Sequence, residues 1–245
     1  MLTALAQLER AAKTGAPRVD ARRVLDVLNT PDQVTRLDGL RRAILNSGLF
    51  LEARLAGKSA EPVLDVSRDF KAALLRLRAE LGPQLAASPD ARTTDLASQV
   101  ERTLARLDLS QLATVSAERD SRLAWSLEIP VRSASDDVDV ASLSIEREDR
   151  DGDGAADRER AYTAVIRLEP NGLGPITAQL RVVGERVSVG FAIADPASRR
   201  RVDEHLDALR TGLGRRGLTP TRLSADQAAA LNGADDYPAF TDTQV

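Results

Sequence analysis

The sequence predicts an α+β protein, with an all-helical N-terminal half followed by an antiparallel β-sheet domain and one packed helix. Three observations predict it. Up to about residue 116, apolar residues recur every three or four positions, the spacing of one helix face. From Leu123 they recur at every second position, the spacing of one strand face. Late in the chain, Asp195-Pro196 supplies a helix cap and a proline suited to the first helical position. The division that follows is a helical region at 1–116, an α+β domain at 117–225, and a tail at 226–245 rich in aspartate and small residues, where disorder is expected. The change of period also predicts that residues 120–225 unfold cooperatively as a separate unit.

In the helical half, Val34, Leu37, Leu40, Ile44 and Leu45 form one apolar stripe, and Asn46-Ser47-Gly48 stops it. A second stripe runs Val63, Val66, Phe70, Leu74, Leu77, Leu81, and a third runs Leu96, Val100, Leu104, Leu107. Gly82-Pro83 and Ser88-Pro89 are expected to separate them, because glycine loosens the backbone and proline cannot continue a helix.

The strands follow in order. Leu123, Trp125, Leu127, Ile129 and Val131 alternate with more polar positions and Pro130, which suits an edge strand. Val138 and Val140 are out of phase with Leu143 and Ile145, and a bulge near Ala141-Ser142 would reconcile them. Tyr162, Ala164, Ile166 and Leu168 mark a third strand, Ile176 to Val182 a fourth, and Val187 to Ile193 a fifth. A two-residue turn at Gly184-Glu185 sets the register of the last two. It pairs Val182 with Val187, Leu180 with Val189, Ala178 with Phe191, and Ile176 with Ile193, and a slip by one would turn that whole set to solvent. Val202, Leu206, Leu209 and Leu213 are the expected buried stripe of the helix after Pro196, which Gly217 ends, and Leu218 to Ser224 reads as a returning strand.

Composition narrows the function. An apolar content of 42% fills a core, and 29% charged residues with a net charge of −3 leave no basic field for nucleic acid. The chain has no cysteine, which removes disulfides, thiolate metal sites and a cysteine nucleophile. Met1 to Lys13 lacks the unbroken apolar stretch of a cleavable signal, because Gln7, Glu9 and Arg10 interrupt it, and no apolar run is long enough for membrane insertion. No cofactor is expected, and no enzyme activity.

The most suggestive chemistry is the run Arg147 to Arg160, REDRDGDGAADRER. Asp149, Asp151, Asp153, Gly154 and Asp157 stand where an EF-type calcium loop places its first ligands and its turn glycine. The closing bidentate carboxylate is replaced by Arg160, and strand patterns rather than helices flank the run. A polar connection between two strands accounts for the same residues without an ion. His205 is the one histidine, on the edge of the last helix's stripe, so a Ser-His-Asp triad has a single possible base there, and a helix-flank residue is the plainer reading. Glu169 to Gly174 contains two glycines but leads into a strand, which is not the geometry of a phosphate loop. Arg199-Arg200-Arg201 reads as a solvated face, and Trp125 as a core residue.

The stretch Val165 to Leu218 resembles the C-terminal domain of the bacterial flagellar hook-length control protein family. The features that carry the likeness are Leu168-Glu169-Pro170, Leu173-Gly174, the alternating hairpin, the helix with Leu206, Leu209-Arg210 and Leu213, and Gly217-Leu218. Upstream, LRRAILNSGLFLEARLAG and LAWSLEIPV resemble segments that precede this domain in some members. The resemblance implies a non-enzymatic protein of the flagellar type III export system. Such a protein is itself exported without a cleavable signal, and switches export from hook to filament substrates by touching the cytoplasmic domain of the export-gate switch protein. Hook or hook-cap subunits are further partners it implies. It also implies switch positions on the strand after the Leu-Gly pair and on the following helix, here Ile176, Ala178 and Leu209. The hairpin register puts the first two on the buried face, where they would act through the core. Family members carry a long Pro-, Gln- or Ala-rich measuring segment, whereas residues 1–120 here show helical patterns and extend to at most about 400 Å. A non-flagellar adaptor and a calcium-dependent secreted module using residues 149–160 are the alternatives.

Overall fold

The computed structural model describes residues 21–57, 66–87, 90–119, 124–133, 137–148, 160–170 and 173–227. Among the described residues four short helices come first: α1 (Arg22–Asp26), α2 (Pro31–Val34), α3 (Leu37–Leu45) and α4 (Leu51–Leu55). After a 3-10 turn at Val66–Arg68 come two long ones, α5 (Phe70–Ala87) and α6 (Ala91–Arg119). The sheet is formed by β1 (Ala124–Arg132), β2 (Val138–Glu148), β3 (Ala161–Leu168), β4 (Ile176–Val183) and β5 (Arg186–Ile193). Helix α7 (Pro196–Gly214) then leads to β6 (Thr219–Gln227).

The α+β class is as expected, with one difference in the sheet. Its six strands lie in sequence order, β1 to β5 are antiparallel neighbours, and β6 runs parallel to β5. The sheet is therefore mixed. A helix crossing between two neighbouring strands returns the chain to the end where the first strand began, and that forces parallel pairing. One residue of β6, Thr221, is skipped in this register, and its hydroxyl donates to the Val187 carbonyl at 3.2 Å.

The β4–β5 hairpin has the expected register at all four apolar pairs, and Gly184 takes the positive φ its turn needs. β1 is an edge strand, as Pro130 suggested. The Arg132 N–H points outward to the Asn29 carbonyl at 2.8 Å, so the nitrogen of Pro130, two residues earlier, also points outward and removes no hydrogen bond from the β1–β2 ladder.

The bulge expected in β2 is absent, because its pairing with β1 is continuous from Arg132↔Val138 to Ala124↔Glu146. The two phases have another cause: helices cover both faces of this end of the sheet. Val138 and Val140 pack against a cluster built from α1, α5 and α6, with Val24, Phe70, Leu74, Leu77 and Val100 at its centre. On the opposite face, Leu127, Ile129 and Leu143 join Ala43 and Leu49 in a second cluster. Burying one Leu or Phe side chain in these clusters is worth about 1.5–3 kcal/mol.

Two helical expectations are corrected. α5 does not stop at Gly82-Pro83 but continues to Ala87. Pro83 falls one turn from the helix end, where the lost hydrogen bond to the carbonyl four residues back is a local cost. Leu37, expected in a core stripe, opens α3 and is 60% exposed, while Leu40 and Ile44 pack on the second cluster. The third stripe, Leu96 to Leu107, is buried throughout on α6.

A polar network centred on the buried Lys71 locks this half together. Lys71 of α5 donates through Nζ to Glu52 of α4, to Asp108 of α6 at 2.6 Å and to Gln111 at 2.8 Å. Gln111 in turn donates to the carbonyls of Gly48 and Leu49. Gly48 has φ +93, and a Cβ there would lie 2.7 Å from Cβ of Lys71, so the approach requires glycine. The network thus seats the segment that carries Leu49 and Phe50 against β1.

Candidate partner-binding site

The connection between β3 and β4 is held to the start of α7 by a small set of polar contacts. The Leu173 N–H donates to the Pro170 carbonyl at 3.1 Å, and Gly174 follows with φ +68, a left-handed conformation that disfavours any side chain. Asp195 caps α7, accepting the Ser198 N–H at 2.7 Å, and Pro196 occupies the first helical position. The Ser198 hydroxyl lies 3.0 Å from the Leu173 carbonyl and 2.7 Å from the same Asp195 oxygen, within reach of either acceptor. The Ser198 N–H, then its hydroxyl, hold the Asp195 carboxyl below the usual range, and the Arg200 charge adds to the effect. Leu168, at the end of β3, pairs with Ile176. The motif positions Leu168, Pro170, Leu173 and Gly174 thus bracket the connection whose Leu173 carbonyl reaches Ser198 at the start of α7.

Ile176 and Ala178 come side by side on one face of β4. Ala178 is 7% exposed, between Ile166 of β3 and Phe191 of β5, and the half-buried Ile176 lies between Leu168 and the fully buried Ile193. Leu209 is on a separate element. α7 packs over β6 and the neighbouring flank of β5, and its stripe of Val202, Leu206, Leu209 and Leu213 is half-buried along its whole length. That corrects the expectation of a buried stripe: a narrow two-strand platform at the sheet edge cannot enclose a helix of 19 residues. In the sheet, Tyr162 on β3 and Leu180 and Val182 on β4 are half-buried too, on the face that bears Ala178. Sequence periodicity placed these three in strands without marking them as a surface.

The chemistry offered is that of an apolar contact face with a charged rim. Half-buried leucines and valines beside a helix suit a protein surface rather than a small polar substrate. His205 is exposed, with Nδ1 2.7 Å from the Arg201 carbonyl of its own helix, and joins no triad among the described residues. Asp149, Asp151, Asp153 and Asp157 lie outside the described residues. Among the described residues no group of three or more His, Asp or Glu side chains is placed to hold a metal ion. No helix among them is long and apolar enough to cross a membrane.

Residues 150–233 match the family model of the flagellar hook-length control protein FliK. The match takes in β3, β4, β5, α7 and β6, and so includes the bracket, Ile176, Ala178 and the half-buried face of α7. β1, β2 and the helical half lie outside it. No curated protein matches the chain, and no solved structure does. The matched segment thus supplies four strands of a sheet whose first two strands belong to a core shared with the helices.

Proposed function

We propose that the chain acts in flagellar hook-length control as a non-enzymatic switch of export specificity, by binding the cytoplasmic domain of the export-gate switch protein. The observation that carries this reading is the half-buried apolar stripe of α7 and β4, inside the stretch that matches the hook-length control family. An apolar face of this kind gains by being covered, and desolvating it supplies affinity without any catalytic group. Leu209 and Ile176 are partly accessible and suited to contact. Ala178 is enclosed and would act by holding β3, β4 and β5 in register. Export through the flagellar type III apparatus, with hook or hook-cap subunits met on the way, belongs to the same proposal.

Complementation tests it. In a strain lacking its hook-length control protein, the full chain is expected to restore both uniform hook length and filament assembly. Restored filaments on hooks of uncontrolled length would separate switching from measuring. Failure to restore either would remove the flagellar reading and leave a general adaptor.

A further inference from the structure

On the sheet face that bears Ala178, helices cover the two ends and leave a slot between them. At one end, the cluster around Ala43 and Leu49 covers β1 and β2 and reaches Ala164 and Ile166 of β3. At the other end lies α7, which packs on β6 and the flank of β5. Val187, Val189 and Ile193 of β5 are buried on this face, whereas Arg186 and Ser188, which point to the opposite one, are not. Between the two ends Tyr162, Leu180 and Val182 stay half-buried, and no helix among the described residues packs along β3 or β4.

The side of α7 turned to this slot is fixed by Ser198, whose hydroxyl lies 3.0 Å from the Leu173 carbonyl in the connection that leads into β4. At helical spacing from Ser198 that side carries Arg201, His205, Gly212 and, in the closing turn, Arg216. Asp203 and Asp207 fall on the far side of the apolar stripe, and Glu204 faces outward. Gly212 is the informative position. A glycine inside a helix weakens it relative to alanine, yet a Cβ here would meet no atom of the described residues within 4 Å. Packing within the described chain therefore does not require it, and the missing side chain leaves α7 smooth where a further element would lie.

Geometry and charge select the occupant. Adjacent strands are about 4.8 Å apart, so two uncovered strands offer about 10 Å, the diameter of one helix with its side chains. An added strand has no place there, because both edges of β3 and of β4 are already paired. The floor is apolar and the α7 rim is cationic, which matches a helix with an apolar stripe and an acidic flank. We infer that the slot takes one such amphipathic helix of a partner protein, its apolar side chains on Tyr162, Leu180 and Val182 and its carboxylates along Arg201 and Arg216. The identity of the partner rests on the proposed function, which makes it a helix of the export-gate domain.

The test titrates the full ¹⁵N-labelled chain with a synthetic helical peptide that has leucines at three- and four-residue spacing and glutamates elsewhere. Saturable shifts are expected at the amides of Tyr162, Leu180, Val182 and Gly212. Affinity should fall at least about tenfold for the same peptide with lysines, for Arg201→Glu with Arg216→Glu, and for Gly212→Gln, whose side chain enters the slot. Gly212→Gln should melt at or above the parent temperature, because the change favours the helix. An acidic peptide that leaves those amides unmoved overturns the inference, as do variants that bind it as tightly as the parent. Shifts at the same amides that grow with the concentration of the chain alone identify a second copy as the occupant, and also overturn it. Added to the peptide complex, the export-gate domain is expected to displace the peptide. A domain that binds without displacing it sinks the inference and leaves the proposed function standing. A domain that does not bind, where the peptide does, sinks the proposed function and leaves the slot to a helix of another partner.

Discussion

The ring of Phe50 meets that of Trp125 edge-on, with centroids 6.2 Å apart and planes at 82°. Phe50 precedes α4 and Trp125 is in β1, so the contact joins the helical half to the sheet, and such a pair adds about 0.5–1.5 kcal/mol beyond its buried area. A fragment of residues 120–227 loses this partner together with Ala43 and Leu49, and exposes Leu127, Ile129 and Leu143. It is expected to show little near-ultraviolet dichroism from Trp125 and a broad, weakly cooperative melt. A sharp transition with the native Trp125 signal would mean that the sheet is self-sufficient after all.

Ala178→Asp places a carboxylate between Ile166 and Phe191 with no partner on that face. The expected cost is about 3–5 kcal/mol, read as a lower melting temperature of the whole chain. A variant that melts like the parent would put Ala178 on an accessible surface, and would make direct contact the better account of its role.

Arg54→Met tests the most enclosed ion pair among the described residues. Arg54 and Asp69 are 5% and 0% exposed, 3.3 Å apart, and burial already raises the Asp69 pKa although the Ala72 N–H and the Arg54 charge oppose it. Removing the cation leaves a buried carboxylate uncompensated, and the loss in denaturant unfolding is expected to be about 3–5 kcal/mol. Asp69→Asn in the same chain should recover part of it. A loss below about 1 kcal/mol would show that water reaches Asp69.

The Lys71 network sets an acid limit. Burial pulls the Glu52 pKa up, but the hydrogen bonds from Lys71, its own backbone and Gln111, with the Lys71 charge, outweigh it and leave the carboxyl below 4.5. A carboxyl with a depressed folded pKa contributes stability above its unfolded value and loses it as pH falls through the folded one. For Lys71, burial lowers the pKa and the bonds to Asp108 and Glu52 raise it above 10.5, so its share is lost only in strong alkali. Asp69, with its raised pKa, acts in the opposite sense on acidification. Comparing the chain with Glu52→Gln isolates Glu52: the stability difference, up to about 1 kcal/mol at neutral pH because Glu52 is half exposed, should shrink as pH drops below 4.5. A difference that is flat with pH would remove Glu52 from the network.

Much of the fold was legible where a residue's neighbours in space are also its neighbours in sequence. The β4–β5 hairpin is the clearest case, because a two-residue turn and four apolar pairs leave one register. The phase change in β2 was visible but misread, since alternation along one strand cannot reveal that helices cover both faces. The direction of β6 follows from the α7 crossover rather than from any residue in it. Leu209 and its stripe were found on the right helix face, but periodicity does not say how much of that face another element covers. Lys71 gave no signal at all, because its partners Glu52, Asp108 and Gln111 lie 19, 37 and 40 residues away.

The most direct test of the central claim is a calorimetric titration of the full chain with the cytoplasmic domain of the export-gate switch protein from the same flagellar system. Leu206→Ser and Leu209→Ser on the α7 face run in parallel, with a melting curve for each. The account predicts saturable binding by the unmutated chain, weakened at least about tenfold in the variants, the equivalent of about 1.4 kcal/mol, at a temperature where their melting curves show both variants still folded. Absence of binding by the unmutated chain, or variants that bind as tightly as the parent, would contradict it.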